Sequence, residues 1–378
     1  MLKVTIIGFS LALFAGVDGN MRDFTEIRVP LLKSTPGESA LESPLSEKLP
    51  DDTTEYYKNP VFEPDLADPT LIKSSDGWFY AYGTANTWDD GIHRKVPVIR
   101  SKDLVNWEYS RDAFDVTPDW KAGGIWAPEI TFLRDRYYMY YAFSTWGDKN
   151  AAIGLAVSDN PEGPFTDLGK LFDSEEIGVF NSIDPSFFRF KNKNYLIWGS
   201  LGGGIYGIKL SSDGKKTNGR KFQIAGNSFE APYIFQKGKF FYLFLSTSTC
   251  CEGASSTYRV VVGRSNNFSG PYLTQTGKNL LNYNNSWQEP QVNQIEGVML
   301  QGNSVVAGPG HNGQIITDDN GNDWFTYHGI LRSNDLLPGG ATRRPLFIDK
   351  IEWISGWPVI NSGKGPSYYY KQKPFFNF

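Results

Sequence analysis

Three acidic residues occupy matching points of a pattern that recurs along the chain. Asp68 and Asp184 each directly precede a proline, and Glu230 lies two positions before one. Each has apolar neighbours, and an acid among hydrophobic residues at the start of a strand is costly to bury without a partner or a task. Burial perturbs the pKa of a carboxyl group, so these three residues are candidates for acid–base catalysis.

Hydrolysis of a glycosidic bond is the chemistry that suits such a set of carboxyl groups. One must be protonated so that it can donate to the leaving oxygen, and another must be ionised so that it can activate water or attack the sugar. A third carboxylate nearby raises the pKa of the acid by like-charge repulsion. A single acid before a strand is more often a simple turn residue, but three in register argue against that interpretation.

The pattern that carries the acids is a five-fold repeat of β-hairpins. In each copy a turn of Asp, Gly, Asn or Lys leads into a run of aromatic or aliphatic residues, and such runs are typical of strands. A short strand precedes every run, and a proline opens it in the first four copies. These repeats predict an all-β chain folded as a five-bladed β-propeller, and the registered prolines weigh against a β-sandwich with chance similarity. The runs span residues 76–83, 135–142, 193–199, 238–245 and 322–329.

A propeller would bring the acids together although they are far apart in sequence. The first strand of each blade lies nearest the central axis, so equivalent positions on successive blades form a ring around one mouth of the channel. The residue before the registered proline is Asp68, Ala127, Asp184 or Ala231, and the fifth copy carries residues 311–312 (His-Asn) in the same region. We therefore expect the three carboxyl groups to converge there.

Composition and charge exclude several function classes. The chain has 378 residues, of which 40% are hydrophobic and 15% aromatic, a composition that fits strands and sugar-binding surfaces. The net charge is −4 and no basic run is present, so nucleic acid is not an expected partner. Three His and two Cys do not suggest a zinc cluster. Cys250 and Cys251 are adjacent, which leaves two alternatives: a pair of buried thiols or a vicinal disulfide at the rim of the site.

The N-terminal residues differ in character from the repeats. Residues 1–19 contain one positive charge followed by an apolar stretch too short for a membrane span, which predicts a signal peptide and a secreted or periplasmic protein without a membrane anchor. Residues 20–59 are polar and rich in Pro, Ser and Glu, so we expect a poorly ordered lead-in. The propeller is expected to occupy residues 60–378.

The segments around the three acids resemble those of glycoside hydrolase family 43. The matching pieces are residues 67–69, 182–185 and 229–232, and the resemblance covers about residues 60 to 360. It implies a five-bladed propeller that hydrolyses glycosides with inversion. It also implies Asp68 as the general base, Glu230 as the general acid, and Asp184 as the residue that tunes and orients the acid.

Other segments are similar to the arabinan-degrading branch of that family. They are residues 250–258, 262–265 and 308–312, and a closing-blade pattern at 339–345 and 353–358. The resemblance implies cleavage of α-1,5-linked L-arabinofuranose, as in an arabinan endo-1,5-α-L-arabinosidase. It further implies that His311 reaches an axial metal ion, Ca²⁺ or Na⁺, surrounded otherwise by water, with no organic cofactor. The alternative for His311 is a hydrogen bond within a Gly-rich turn.

Two departures from the family pattern keep the substrate open. Ala231 follows the acid where many members have Gly, and Ala67 precedes the base where many arabinanases have His. Exo-acting α-L-arabinofuranosidase or β-xylosidase activity is therefore an alternative, with arabinoxylan or xylan as substrate. A propeller that binds carbohydrate without cleaving it is a further alternative.

Four residues are candidates for contacts with the substrate, a polysaccharide or oligosaccharide. Trp126, in the second repeat, is the candidate stacking platform for a sugar ring, against the alternative of a core Trp. Asn181, Arg343 and Arg344 are candidates for hydrogen bonds to sugar hydroxyls. We expect the protein to act as a monomer.

Overall fold

The computed structural model describes residues 55–284 and 294–377. The expected signal peptide at 1–19 and residues 20–54 of the expected lead-in lie outside this part of the chain. The described residues form five antiparallel sheets of at least four strands each, arranged as the blades of a propeller, which confirms the predicted fold. Within these residues no helix is long and apolar enough to cross a membrane.

The first two blades follow a short N-terminal strand, β1 (Tyr56–Tyr57). Each blade is an up-and-down sheet in which consecutive strands pair, with the first strand innermost. Blade 1 contains β2 (Thr70–Lys73), β3 (Phe79–Tyr82), β6 (Pro97–Ser101) and β7 (Trp107–Asp112), with a small hairpin of β4 (Asn86–Thr87) and β5 (His93–Arg94) between β3 and β6. Blade 2 contains β8 (Gly124–Leu133), β9 (Arg136–Ser144), β10 (Ala152–Ser158) and β11 (Thr166–Asp173).

The remaining blades repeat this plan after a single helical turn, α1 (Ser174–Ile177). Blade 3 contains β12 (Ser186–Phe190), β13 (Lys193–Trp198), β14 (Ile205–Lys209) and β15 (Phe222–Ala225). Blade 4 contains β16 (Glu230–Lys237), β17 (Phe240–Thr247), β18 (Arg259–Ser265) and β19 (Val298–Gln301). Blade 5 contains β20 (Val306–Gly310), β21 (Ile315–Thr317), β22 (Asp323–Leu331), β23 (Leu346–Ile354) and β24 (Trp357–Ile360), and both β20 and β21 pair with β22.

The five hydrophobic runs found in the sequence are the second strands of the five blades. They correspond to β3, β9, β13, β17 and β22, and most of their side chains are buried. Aromatic and aliphatic residues from neighbouring blades pack together, as where Tyr82 of blade 1 meets Phe165 of blade 2 with ring centroids 6.2 Å apart. The apolar area buried between the sheets holds the ring of blades together.

The innermost strands share a backbone bend at the predicted register position. Asp68, Ala127, Asp184, Ala231 and His311 have φ values of 53°, 40°, 56°, 51° and 44°, in the left-handed region. Such values are uncommon for residues other than glycine and occur where the surrounding structure enforces them. Because alanine occupies two of the five positions, the bend does not depend on an acidic side chain and belongs to the blade architecture. Asp68 and Asp184 lie at the bend, and Glu230 directly precedes it.

The segment just before residue 60 contacts the C-terminal part of the chain. β1 pairs with β25 (Lys371–Gln372) near the C-terminus. The amide of Asn59, a residue only 2% exposed, donates to the carbonyl of Ile348 at 2.8 Å and accepts from its N–H at 2.9 Å. Residues 56–59, which the sequence placed in the lead-in, are thus bonded to segments near the C-terminus.

Candidate active site

Three carboxyl groups meet at the mouth of the propeller where the innermost strands begin. The Oδ2 atom of Asp184 accepts a hydrogen bond of 3.1 Å from the backbone N–H of Ala231, the residue after Glu230. Burial first, and then the charges of Glu230 and Asp68, raise the pKa of Asp184 well above its ordinary value. Asp68 and Asp184 are 9% and 6% exposed. The structure thus gathers the acids that the sequence placed in register.

Asp68 is held as an ionised carboxylate. Burial, the largest single effect, would raise its pKa. The positive charge of Arg344, whose Nη1 donates to Oδ1 at 2.7 Å, acts together with the two histidines and a hydrogen bond from Thr84 to hold the pKa well below its ordinary value. The hydroxyl of Thr84 donates to Oδ2 at 2.6 Å. His311 and His328 also lie near Oδ1, but burial lowers the pKa of both imidazoles. Among these groups Arg344 is the permanently charged partner that bonds directly to the Asp68 carboxylate.

The hydrogen-bond partners of Glu230 and Asp184 assign the proton of this pair to Glu230. Burial raises the pKa of both groups. Glu230 is bonded by two hydroxyls, Tyr258 at 2.6 Å and Ser200 at 2.8 Å. A hydroxyl can rotate and accept from a protonated carboxyl group, whereas the backbone N–H of Ala231 can only donate to Asp184. Asp184 is thus better suited to the negative charge and Glu230 to the proton.

Two stacked rings connect the base side of the site with the acid side. The Nδ1 atom of His328 accepts from the backbone N–H of Asp68 at 3.1 Å. The His328 ring stacks on that of Tyr258, with centroids 5.7 Å apart and planes inclined by 8°. Tyr258 then bonds to Glu230. The stacked pair therefore links the backbone of Asp68 with the carboxyl group of Glu230.

Replacing Asp184 with Asn is expected to lower kcat and to move the basic limb of the pH–activity profile to lower pH. A negative charge beside Glu230 raises the pKa of that acid, so removing the charge lets Glu230 lose its proton at a lower pH. We expect kcat to fall by about 10²-fold, within the range for impaired acid–base catalysis. The measurement is kcat as a function of pH for both proteins, and an unchanged basic limb would contradict the tuning role.

The four expected substrate contacts lie in different environments. Trp126 is half-buried and contacts Trp146, with ring centroids 5.7 Å apart. The amide of Asn181 donates to the carbonyl of Leu201 at 3.2 Å. Arg344 is bonded to Asp68, so its main partner is the base. The sugar-hydroxyl contact stays a prediction for Arg344, whose side chain is 12% exposed and already bonds to the base.

Arg343 lies in a separate cavity. Its guanidinium donates to both carboxylate oxygens of Asp89 at 2.8 and 2.6 Å. It lines a cavity of about 450 Å³ together with Trp88, Asn334 and other residues, and none of the three candidate catalytic acids lines that cavity. The sequence grouped Arg343 with Arg344 because they are neighbours, but consecutive residues before a strand point in different directions.

Several residues of the site were not predicted from the sequence. Thr84, Ser200 and Tyr258 lie on or beside loops that join the second and third strands of their blades, and each bonds to an acid. Tyr258 ends a segment that had been noted for its resemblance to arabinanases, so a signal for it existed. Trp146 is 81% exposed on the corresponding loop of blade 2. No spacing rule points to the loop residues, because long-range packing decides which side chains face the site.

The adjacent cysteines form a vicinal disulfide. Cys250 and Cys251 are bonded to each other, which decides between the two alternatives left by the sequence. They lie in the loop between β17 and β18, where the Thr249 and Thr257 hydroxyls are 3.0 Å apart. The loop leads directly to Tyr258, so the disulfide belongs to the segment that holds the partner of Glu230.

Comparison with known proteins places this site in a family. The model of glycosyl hydrolases family 43 matches residues 57–358, which is most of the chain. The chain belongs to glycosyl hydrolase family 43. As a family 43 protein it is a glycoside hydrolase, and the three acids lie on the propeller that the resemblance implied.

Individual family 43 relatives cover most of the chain. An extracellular endo-α-(1→5)-L-arabinanase 1 of Bacillus subtilis is 32% identical over 307 residues, covering 78% of this chain and 87% of the relative. An extracellular exo-α-(1→5)-L-arabinofuranosidase, ArbA, of Cellvibrio japonicus is 30% identical over 336 residues, covering 80% and 88%. The structure of a Cellvibrio cellulosa α-L-arabinanase with arabinohexaose matches with a TM-score of 0.68 at 28% identity, covering 82% of this chain and 99% of that one.

Proposed function

We propose that this family 43 hydrolase cleaves α-1,5-linked L-arabinofuranose in arabinan by inversion. The observation that carries the proposal is the contrast between the acids: Asp68 is bonded to Arg344 at 2.7 Å and has a lowered pKa, whereas burial raises the pKa of Asp184 and Glu230. That contrast supplies a base and an acid at the same time, as glycoside hydrolysis requires. The choice of arabinan is supported by the names of the relatives, which are arabinanases and an exo-arabinofuranosidase.

The proposed mechanism is a single displacement. Asp68 accepts a proton from a water molecule as that water attacks the anomeric carbon, and Glu230 donates its proton to the departing glycosidic oxygen. Asp184 maintains the pKa and the orientation of Glu230. Inversion requires base and acid carboxyl groups about 6.5–9.5 Å apart, with room for the water. The His328–Tyr258 stack lies between the backbone of Asp68 and the carboxyl group of Glu230, which supports such a separation.

Trp126 and Trp146 are the proposed stacking surface for arabinose rings outside the bond that is cleaved. Trp126 directly precedes the bend of blade 2, at the same mouth as the acids. Trp146 extends this surface outward into solvent, since 81% of it is exposed. Flat aromatic faces cover the apolar faces of sugars and gain from the burial of both surfaces. Asn181, on the loop before blade 3, remains our candidate for a hydroxyl contact.

Replacing Trp146 with Ala is expected to raise KM for linear arabino-oligosaccharides and to leave kcat nearly unchanged. The indole contacts no acid of the site, so its removal affects substrate binding and not the chemical step. We expect KM to rise by about five- to thirtyfold, which corresponds to about 1–2 kcal/mol for loss of one aromatic contact. Steady-state kinetics on oligosaccharides of increasing length would measure this, and a fall in kcat with constant KM would contradict the assignment.

Product analysis on linear, debranched arabinan tests the proposed substrate. An endo-acting enzyme releases a ladder of oligosaccharides, whereas an exo-acting α-L-arabinofuranosidase releases small products from the start. β-Xylosidase activity would appear instead as release of xylose from xylo-oligosaccharides. The proposal of arabinan cleavage fails if chromatography finds no arabinose-containing product although the folded protein hydrolyses the xylose substrates. If the folded protein cleaves neither substrate, the result favours the alternative of a propeller that binds carbohydrate without cleaving it.

We also propose an axial metal ion beside His311, Ca²⁺ or Na⁺. The imidazole is held neutral by burial, as a metal ligand must be. Asn312 is buried and its Oδ1 atom has no hydrogen-bond partner, and both residues line an axial cavity of about 20 Å³. No group of three or more His, Cys, Asp or Glu side chains in the described residues is arranged around a metal, so water would supply the remaining ligands. When bound, the ion would add positive charge near the acids.

Thermal unfolding separates this proposal from a purely structural histidine. Addition of Ca²⁺ to protein stripped with EDTA is expected to raise Tm, because a ligand that binds only the folded state stabilises it. His311→Ala should abolish the Ca²⁺-dependent part of the shift. Equal Tm values for the unmodified protein in excess EDTA and in excess Ca²⁺ or Na⁺ would refute the metal site.

Secretion is part of the proposal as well. It is supported by the charged and apolar pattern of residues 1–19 and by the two relatives that are named extracellular. Detection of the protein in the medium or the periplasm of its natural host, with residues 1–19 removed, would test it. Retention of the uncleaved chain inside the cytoplasm would contradict it.

A further inference from the structure

Glu129 is a buried acid that the proposed mechanism does not use. It lies on β8, two positions after Ala127, where the backbone bends toward the axis. The residue is 6% exposed and lines the axial cavity together with Asp184 and His311. Burial of a carboxyl group is unfavourable unless several hydrogen bonds satisfy it. The partners of Glu129 therefore indicate what the residue does.

Three donors from three other blades bond to the carboxyl group of Glu129. The backbone N–H of Phe187 on blade 3 donates to Oε1 at 2.8 Å. The Thr70 hydroxyl on blade 1 donates to Oε2 at 2.9 Å, and the Gln314 amide on blade 5 donates to the same oxygen at 2.9 Å. Blade 2 supplies the acceptor, so this one side chain connects four of the five blades. Burial raises the pKa of Glu129 to about 7, whereas the three hydrogen bonds act in the opposite direction and favour the ionised form, which accepts from all three donors.

Gln314 extends the connection between the last blade and the first. Its Oε1 atom accepts from the backbone N–H of Leu71, while its Nε2 atom donates to Glu129. The strands of blade 1 and of blade 5 come from separate stretches of the chain, and the segment before blade 1 already crosses to blade 5 through backbone bonds of Val61 and Phe62 with Leu346. The contacts of Gln314 therefore help to close the ring at the junction next to Asp68.

The residues that bond to Glu129 stand close in sequence to the functional groups of the site. Thr70 follows Asp68 by two positions, Phe187 follows Asp184 by three, and Gln314 follows His311 by three. Only two or three residues of extended strand separate each bonded residue from the functional residue. A shift of the bonded residue therefore also moves the functional side chain. A displacement of about 1 Å at a reacting group can cost about 10²-fold in rate.

We propose that Glu129 is a positioning residue that locks the innermost strands of blades 1, 2, 3 and 5 in register and thereby sets the placement of Asp68 relative to Asp184. This inference rests on the catalytic roles proposed for those two acids. Glu129 itself touches neither the substrate nor the reacting atoms. It acts as the common hydrogen-bond acceptor for donors from three other blades, two positions along its strand from the bend at Ala127.

The test is a pair of variants that breaks and then restores the network. Glu129→Gln places an amide NH₂ against the NH₂ of Gln314, and we expect kcat to fall by up to about 10²-fold with a much smaller change in KM. The double variant Glu129→Gln with Gln314→Glu exchanges the two groups, so that every donor again faces an acceptor. It is expected to recover most of the lost kcat. A folded Glu129→Gln protein with unchanged kcat would overturn the proposal, and so would a folded double variant that recovers nothing.

A matched control separates positioning from general stability. Asp349 is a fully buried carboxylate in blade 5 that accepts from Tyr327 and from Asn59, away from the catalytic ring. Asp349→Asn is expected to lower Tm without lowering kcat, whereas Glu129→Gln should lower kcat even at temperatures far below its Tm. If Glu129→Gln does not fold, the double variant alone decides, since the exchange restores all the bonds. Should both fail to fold, Thr70→Val removes one donor, and a kcat equal to that of the unmodified enzyme would count against the proposal.

The proposed catalytic roles are tested separately. If the variants of Asp68 and Glu230 described below lose activity while Glu129→Gln keeps it, only the positioning role of Glu129 is wrong. If the Asp68 and Glu230 variants remain active, the proposed function fails first, whatever the behaviour of Glu129.

Discussion

Replacement of Asp68 by Asn is expected to reduce kcat by about 10²–10⁴-fold on every substrate that the enzyme cleaves. The side chain keeps its size and its hydrogen bond with Thr84 but loses the ability to take a proton from water. Because water must be activated whatever group departs, the loss should be equally large for an arabino-oligosaccharide and for an aryl arabino-oligosaccharide with a nitrophenol leaving group. Parallel kinetics on the two substrates make the measurement.

A folding control is needed for this variant. Arg344 is 12% exposed and would lose its carboxylate partner, and removing one member of a buried ion pair can cost about 3–5 kcal/mol. Thermal unfolding should therefore accompany the kinetics, and the assay temperature should lie well below Tm. Substantial activity of the folded variant on either substrate would contradict the role of Asp68 as base.

Replacement of Glu230 by Gln is expected to have an effect that depends on the leaving group. A sugar hydroxyl departs poorly without a proton, so kcat on the arabino-oligosaccharide should fall by about 10²–10⁴-fold. A nitrophenolate leaves without protonation, so kcat on the aryl substrate should fall far less. The amide can retain hydrogen bonds with Tyr258 and Ser200, which favours an intact site.

The contrast between the two variants assigns the roles of acid and base. Asp68→Asn should affect both substrates alike, and Glu230→Gln should affect mainly the natural linkage. An equal loss on both substrates for Glu230→Gln would mean that this residue does not act as the proton donor. The reverse pattern, with the larger substrate dependence at Asp68, would mean that the assignment must be exchanged.

Local sequence information was sufficient for the architecture and for the positions of the acids. The five hydrophobic runs became the second strands of the blades because turn residues and strand-forming side chains act over a few positions. Asp68 and Asp184, which both precede a proline in the sequence, both have left-handed backbone conformations in the structure. Once the blades are assigned, the symmetry of the propeller gathers these positions at one mouth.

The partners of the acids required the folded structure. Tyr258 and Ser200 reach Glu230 from loops, whose paths depend on packing between blades. Arg344 was expected to bind sugar but bonds to Asp68 from a segment 276 positions away. A contact between residues so far apart in sequence cannot be predicted from the composition of either segment. The same holds for Asn59, whose bonds to Ile348 order a segment that looked like part of a polar lead-in.

The anomeric configuration of the first product is the most direct test of the roles assigned to Asp68, Asp184 and Glu230. A linear α-1,5-arabino-oligosaccharide is mixed with the enzyme, and the anomeric protons of the new reducing end are followed by ¹H NMR before mutarotation mixes the anomers. An ionised Asp68 that activates water, opposite a protonated Glu230, predicts that the β-anomer appears first. Initial appearance of the α-anomer would mean retention, which requires carboxyl groups about 5–5.5 Å apart and a covalent intermediate, and would contradict the roles assigned to all three acids.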